Sequence, residues 1–351
     1  MAEPEGLALA LYDRILQMPR TSYKLPESRV CGYNVRMIVL VADKFEESGL
    51  MGLQNLGVEV LSEPDLKDAA LESRIKATGC EVLIVRSTKV TASMIEGSTL
   101  KLIIRAGAGY NTIDVKAATA NGVKVANCPG KNAAAVAELA FGLIIALDRF
   151  IPDNVSELRA QKWNKKAFSK GRGLCGRSLG LIGLGNIGKE VARRAQAFGL
   201  EIYAYSKSLS DADAQSMNIK RVDLESVAGC DIISVHCALN DQTRGMLDAG
   251  FFEKVKPGAM FINTSRAEVV DQAALMNAVK TKGVRAGLDV FDDEPTDAVG
   301  SYTGELCTAE NVYCTHHIGA STEQAQEAVA DETVRIVKVF RETGIAPNAV
   351  N

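Results

Sequence analysis

From Val35 onward, short and nearly continuous apolar runs alternate with longer segments whose apolar positions recur at helical spacing. VRMIVLVA (35–42), CEVLIVRS (80–87), LKLIIRAG (100–107) and GVKVANCP (122–129) form a first series. SLGLIGLG (178–185), LEIYAYS (200–206), CDIISVHC (230–237), GAMFINTS (258–265), GVRAGLDV (283–290) and NVYCTHH (311–317) form a second. Continuous apolar strands alternating with amphipathic helices predict βαβ units, hence parallel sheets covered on both faces. The pattern gives an α/β protein of two doubly wound domains. A long apolar helix over 133–150 stands between the two series, and an amphipathic helix over 321–344 closes the chain. Residues 1–34, with Pro4, Pro19 and Pro26 around one apolar segment, read as an extension without chemistry. QKWNKKAFSKGRGLCGR (161–177) reads as a solvated basic loop, because a nucleic-acid patch would interleave more aromatics than Trp163 and Phe168.

Composition narrows the class. Hydrophobic residues at 47% and charged residues at 24% suit a soluble globular protein, and 351 residues suffice for two cores. A net charge of −3 and a pI of about 5.8 leave no global basic field to recruit nucleic acid or an acidic membrane. The longest apolar stretch, from Ala137, is interrupted by Glu138 and Asp148 and is too short for a bilayer. The start, MAEPEG, lacks the basic residues of a secretory signal. Eight scattered cysteines form no CxxC and read as reduced thiols, so a cytoplasmic enzyme is expected. Three histidines and isolated cysteines offer no metal set.

The first chemistry comes from SLGLIGLGNIGKEV. Gly183, Gly185 and Gly188 stand in GxGxxG spacing, directly after an apolar run and at the head of a helix-forming one. That context is the one dinucleotide binding requires. Gly183 permits the tight turn, Gly185 lets backbone approach a pyrophosphate, and Gly188 lets helix and strand pack closely. The helix start at Asn186 and Ile187 offers unpaired N–H groups to phosphate. The next strand ends in Ser206 and Lys207, where an NAD site ordinarily carries an acid for the ribose. A hydroxyl beside an ammonium suits a 2′-phosphate, so NADP preference is expected, against an NAD site that tolerates the missing acid.

Three later strand ends carry polar groups towards one rim. GAMFINTSRAE ends in Thr264, Ser265 and Arg266; GLDVFDDEP holds Asp289 and Glu294; NVYCTHHIGAS ends in His316 and His317. Ligands of open parallel sheets bind beyond such carboxyl ends. Neighbours in a strand point to opposite faces, so the histidine pair is not read as a chelate.

Together GLGNIG, NTSRAEVVD, GLDVFDDEP and HHIGAST resemble the D-isomer-specific 2-hydroxyacid dehydrogenase family, from about residue 36 to the terminal PNAVN. LIVRSTKVT, RAGAGYNTID and NCPGKNAAAVAELAFG resemble the short D-3-phosphoglycerate dehydrogenases within it. The resemblance implies a Rossmann nucleotide-binding domain (136–319) inserted into a discontinuous flavodoxin-like substrate domain (35–135 and 320–351). It implies that His317 exchanges a proton with the substrate C2 oxygen, that Glu294 holds the other imidazole nitrogen, and that Arg266 binds the carboxylate. A histidine suits that task because its ordinary pKa, about 6.5, lies near working pH. Asp289 would orient the nicotinamide carboxamide. His236, Cys237, Ala238, Thr243, Thr264 and Ser265 would line the cofactor, with Ala108, Gly319 and Ala320 beside them. The backbone of Ala106, Gly107, Ala108 and Gly109 would meet the substrate carboxylate, with Lys131 and Asn132 close by. Arg86 and Arg105 would meet a phosphate, unless Arg105 serves a structural ion pair.

Two positions depart from the family pattern. Glu268 replaces a small residue and could oppose an anion or face away, and His316 replaces a proline. The resemblance therefore points to 3-phosphoglycerate oxidation for serine synthesis, in a homodimer or homotetramer without nucleic-acid or membrane partners. A glyoxylate or hydroxypyruvate reductase is the alternative, and a dinucleotide-sensing corepressor-like scaffold the third reading.

Overall fold

The computed structural model describes residues 37–295 and 299–351, so the extension read at 1–34 lies outside the described residues. The apolar runs form two sheets. The first joins β1 (Ile38–Val41), β2 (Glu59–Ser62), β3 (Val82–Val85), β4 (Leu102–Arg105) and β5 (Lys124–Asn127), in the order β2-β1-β3-β4-β5. The second joins β6 (Ser178–Ile182), β7 (Glu201–Tyr205), β8 (Lys220–Arg221), β9 (Ile232–Val235), β10 (Met260–Asn263), β11 (Arg285–Leu288) and β12 (Val312–Cys314). Its order is β12-β11-β10-β9-β6-β7-β8. All neighbouring strands in both sheets are parallel, and β3, β9 and β10 are buried at every position, as helices on both faces require. The first order is flavodoxin-like; the second is the dinucleotide-binding order extended by one strand.

Two strands lacked an apolar run to announce them. β2 is half-buried and β8 is two exposed residues, and both lie at sheet edges where one flank needs no neighbour. The basic stretch is not all loop either. Lys165–Phe168 form a helical turn, with the Asn164 side chain accepting from Ala167 N at 3.2 Å.

The helix Ala133–Arg149 packs on β10, β11 and the helix Asn186–Ala197, with Phe141 stacked on Phe198 at 5.1 Å between centroids. Its one buried acid, Asp148, takes Arg177 at 3.1 Å and Gly173 N at 3.0 Å, so both oxygens are satisfied. A buried carboxylate needs that. The helix Glu323–Thr343 is started by the Thr322 hydroxyl accepting from Ala325 N and stopped by left-handed Gly344. Its Ile336 and Val337 lie in the core formed by Val39, Val41 and Leu53, so the end of the chain covers the first sheet.

Glu332 on that helix joins three segments, accepting from Arg335 at 2.6 Å and Asn348 at 2.8 Å and pairing with Lys131 at 3.3 Å. The Arg335 hydrogen bond, against the pull of burial and with help from Asn348, holds its carboxyl near 2, against an ordinary 4.5. A depressed folded-state pKa contributes stability that is complete above 4.5 and lost as pH falls through about 2. Glu332→Gln is therefore expected to cost about 1.5–3 kcal/mol at pH 7. In thermal unfolding, the gap to the parent protein should narrow steadily as the pH is lowered from 4.5.

Candidate active site

Each sheet brings its strand ends together where its strand order reverses. In the second sheet this is between β6 and β9. Gly183 turns there with φ +94°, and a Cβ on it would stand 2.6 Å from Cys237 N. A Cβ on Gly188 would overlap Gly183 O, whereas one on Gly185 would meet nothing within 4 Å. So two of the three glycines are demanded by packing and the third opens into free space. Lys189 N donates to Gly185 O at 3.0 Å, and the amides of Asn186, Ile187 and Gly188 precede that bond. Those are the donors a helix start offers to an anion.

Around this loop the β9 and β10 ends are buried and polar. His236 Nε2 lies 2.8 Å from Ser234 Oγ, and burial pushes the imidazole down to about 3, so it is neutral. Its Nδ1 and the Thr264 hydroxyl are buried without partners among the described residues, polar atoms whose hydrogen-bonding capacity is unused. Ser265 hydrogen-bonds Asn263, and the Thr243 hydroxyl donates to Ala238 O at 2.7 Å, bracing that turn from within. Burial raises the Cys237 thiol to about 11. The free space at Gly185, the helix-start amides and these two unpaired atoms fit a dinucleotide.

Beyond β7, Lys207 donates to Gln242 at 2.6 Å and Ser206 pairs with Ser208 at 3.3 Å. A cavity of about 570 Å³ opens beside them, bordered also by Arg221, Asp211 and Asp223. Arg221 belongs to β8, the strand too short to be legible in the sequence.

The histidines do not lie in a strand, as the sequence reading had them. β12 ends at Cys314, and His317 adopts a left-handed conformation with φ +50°. The cause is Asp289, which is only 1% exposed. Its Oδ1 accepts from the Thr315 hydroxyl at 2.6 Å and Ile318 N at 2.9 Å, and its Oδ2 accepts from Gly319 N at 2.8 Å. The three donors bend the chain around the carboxylate, with half-buried Ala320 following. Asp289 thus holds the histidine loop. The loop presents His317 Nδ1 to Glu294 Oε2 at 2.6 Å, while Glu294 Oε1 accepts from Phe291 N at 2.8 Å. Burial pulls the Glu294 carboxyl up, but the His317 and Phe291 hydrogen bonds outweigh it and leave the pKa lowered. His316 is exposed, and among the described residues no group of three His, Cys, Asp or Glu could hold a metal.

Across from this pair lie the ends of β3 and β4. Asp43 accepts from the amides of Arg86, Ser87 and Thr88 at 2.6, 3.1 and 3.0 Å, fixing the loop that carries Arg86. Arg86 donates to Gln326 at 2.8 Å. The Arg105 guanidinium lies over Gly107, and Arg266 lies against Gly109, each where a Cβ would stand. Ala106 is buried, and Ala108 O accepts from Asn127 at 2.6 Å, so the 106–109 backbone is fixed. Burial, followed by the like charges of Arg266 and Arg86, pulls Arg105 down to about 10. Among the described residues Arg105 makes no ion pair, and its Nε is buried without a partner. The alternative of a structural ion-pair residue therefore does not hold.

Two expectations change. Lys131 is drawn to Glu332 rather than standing free for a ligand, while the neighbouring Asn132 Oδ1 is buried and unpaired. Glu268 is exposed and faces Asp292, where it adds to the effect of burial in raising that carboxyl.

The family described as "D-isomer specific 2-hydroxyacid dehydrogenase, NAD binding domain" matches residues 141–319. A hydroxypyruvate reductase of Thermotoga maritima is 44% identical over 308 residues, covering 86% of this chain and 96% of that protein. The chain belongs to the D-isomer-specific 2-hydroxyacid dehydrogenases. A D-3-phosphoglycerate dehydrogenase of Methanocaldococcus jannaschii is 38% identical over 89% of this chain, which spans only 59% of that longer protein. The NAD⁺-bound 3-phosphoglycerate dehydrogenase of Entamoeba histolytica superposes with a TM-score of 0.74 at 27% identity, over 90% of this chain and 99% of that one. No helix among the described residues is long and apolar enough to cross a membrane.

For this dehydrogenase, Asp43, Asp289 in its observed role, Thr315 and Arg221 went unread in the sequence. Asp43 and Asp289 did carry a signal, a lone acid at the end of an apolar strand. The glycines separate binding from folding. Gly185→Ala is expected to weaken NAD binding about tenfold, ~1.4 kcal/mol, with an unchanged melting temperature. Gly188→Ala should instead destabilise the fold by about 1–3 kcal/mol through overpacking. Calorimetric binding beside thermal unfolding checks both.

Proposed function

We propose that this dehydrogenase interconverts a D-2-hydroxyacid bearing a second anionic group and its 2-keto acid, 3-phosphoglycerate and 3-phosphohydroxypyruvate above others. The observation that carries the substrate is Arg105, a half-buried cation that makes no ion pair among the described residues and faces Arg266 and Arg86. A buried charge without a counter-charge is costly unless a ligand supplies one. Bound nicotinamide supplies the hydride acceptor or donor. Arg266 holds the substrate carboxylate beside the 106–109 backbone, and Arg86 and Arg105 take the phosphate. His317 Nε2 receives the C2 hydroxyl proton. Glu294, accepting from Nδ1–H, fixes the tautomer and stabilises the imidazolium, as its lowered pKa favours. In this reading 35–135 and 320–351 form the substrate domain, and 136–319 the nucleotide domain. Ser206, Lys207 and Arg221 around one cavity support NADP over NAD.

A second reading, hydroxypyruvate reduction, is favoured by the Thermotoga relative, which this chain matches over nearly its full length. Rates with 3-phosphoglycerate, hydroxypyruvate and glyoxylate, each with both cofactors, separate the two. The first reading expects phosphoglycerate and NADP to lead; hydroxypyruvate leading by a wide margin overturns it. Arg105→Gln should lower kcat/KM for phosphoglycerate by roughly 10–100-fold, the equivalent of a charged hydrogen bond, and spare hydroxypyruvate. His317→Asn is expected to lower kcat by about 10²–10⁴ with cofactor binding kept. His316→Pro should leave kcat nearly unchanged, and equal losses from the two histidine variants would refute the assignment.

A further inference from the structure

Two cysteines outside the chemistry above meet at the base of the histidine loop. Cys307 is exposed in the helical turn Glu305–Thr308, and Cys314 is the half-buried last residue of β12. The turn packs on β12: Leu306 and Val312 share one core cluster, and Val312 N donates to Ala309 O at 3.3 Å. Burial, and then the Cys307 sulfur beside it, raise the Cys314 thiol to about 12.

Each cysteine is tied to one partner of the histidine–glutamate pair. Cys314 is followed at once by Thr315, whose hydroxyl grips Asp289. On the other side Tyr302 donates to Asp292 O at 3.0 Å and sets its ring 5.4 Å from Phe291, bracing the turn that carries Glu294. From Tyr302 the chain runs directly into the turn of Cys307.

We propose that Cys307 and Cys314 form a redox-active dithiol, a modification site for peroxides, whose closure to a disulfide displaces Glu294 from His317. The functional consequence rests on the catalytic roles proposed above; the dithiol itself does not. Exposed Cys307 reacts first: its thiolate attacks a peroxide oxygen, the O–O bond breaks, and a sulfenic acid and one water result. The Cys314 sulfur then attacks Cys307, the S–S bond forms, and the hydroxyl leaves as a second water with the Cys314 proton. Both sulfurs are oxidised and one hydrogen peroxide is reduced to two waters. A disulfide brings Cβ atoms to about 3.8 Å. Cys314 is held in the sheet opposite Leu288, so the adjustment falls on the Cys307 turn and the loop behind it, on the Glu294 side.

The test oxidises the full-length protein with hydrogen peroxide, blocks remaining thiols and maps the peptides by mass spectrometry. The expected product is a Cys307–Cys314 cross-link two hydrogens lighter than the dithiol, reversed by dithiothreitol and missing in Cys307→Ser. Exposed Cys175 serves as the lone-thiol control. If Cys175 oxidises while Cys307 and Cys314 stay separately alkylated, there is no dithiol. For the consequence, kcat should fall reversibly on the order of tenfold, as a small misplacement of a catalytic group does. Untreated Cys307→Ser should keep the parent kcat. His317 should also react faster with diethyl pyrocarbonate after oxidation, measured against exposed His316. That readout needs no turnover, so it holds even if every substrate above proves wrong. A cross-link that leaves the His317 rate unchanged overturns the control of the pair.

Discussion

A single buried carboxylate organises the rim of this protein. Asp289 follows β11, whose residues are fixed in the core, and it is almost wholly withdrawn from water. A bare carboxylate there would cost several kcal/mol, so its oxygens must find donors. All three donors come from residues 315–319, so folding the sheet also folds the loop. The left-handed turn at His317 costs about 1–2 kcal/mol by itself and is offset by those hydrogen bonds. Gly319 completes the constraint, since a Cβ there would stand 3.0 Å from Asp289 Oδ2. The imidazole is therefore aimed at Glu294 by the core, through a residue that never touches it.

The same logic explains which parts were legible in the sequence. Buried parallel strands must be apolar throughout, so β3, β9 and β10 announced themselves, while the edge strands β2 and β8 had no such obligation. The glycine loop was legible because Gly183 and Gly188 meet backbone, which no other residue tolerates. Arg266, Glu294 and His317 could be named because each follows a recognisable strand. Their local geometry could not. A three-donor contact between Asp289 and the 315–319 loop spans 26 to 30 positions and leaves no periodicity. The pairing of Lys131 with Glu332 was illegible for the same reason, since Glu332 lies on the last helix and is adjacent only after folding.

Contacts between the two sheets' loops put the cleft under steric as well as electrostatic control. Arg266, from the second sheet, rests on Gly109 of the first, and Asn186, at the cofactor-loop helix, rests on Gly130. Side chains at either glycine would hold the two halves apart. The guanidinium groups of Arg86, Arg105 and Arg266 then face one another, and their like charges add to burial, the larger cause, in lowering the basicity of Arg105. An anion bound between them would offset that repulsion.

The cofactor end shows the opposite balance. Ser206, Lys207 and Arg221 border a cavity that also holds Asp211 and Asp223. Arg221 pairs with Asp211 at 2.9 Å, and Asp223 caps the helix Leu224–Ala228 by accepting from Ser226 N at 2.8 Å. Both acids are therefore engaged by protein donors, and the Asp211 pair is exposed, worth at most about 1 kcal/mol. In the proposed NADP reading, a 2′-phosphate, carrying more charge than one carboxylate, would compete for Arg221 at that strength. Lys207 needs only to leave a neutral glutamine. The groups around this cavity are thus held by exposed, exchangeable contacts, whereas the histidine loop is held by the core through Asp289.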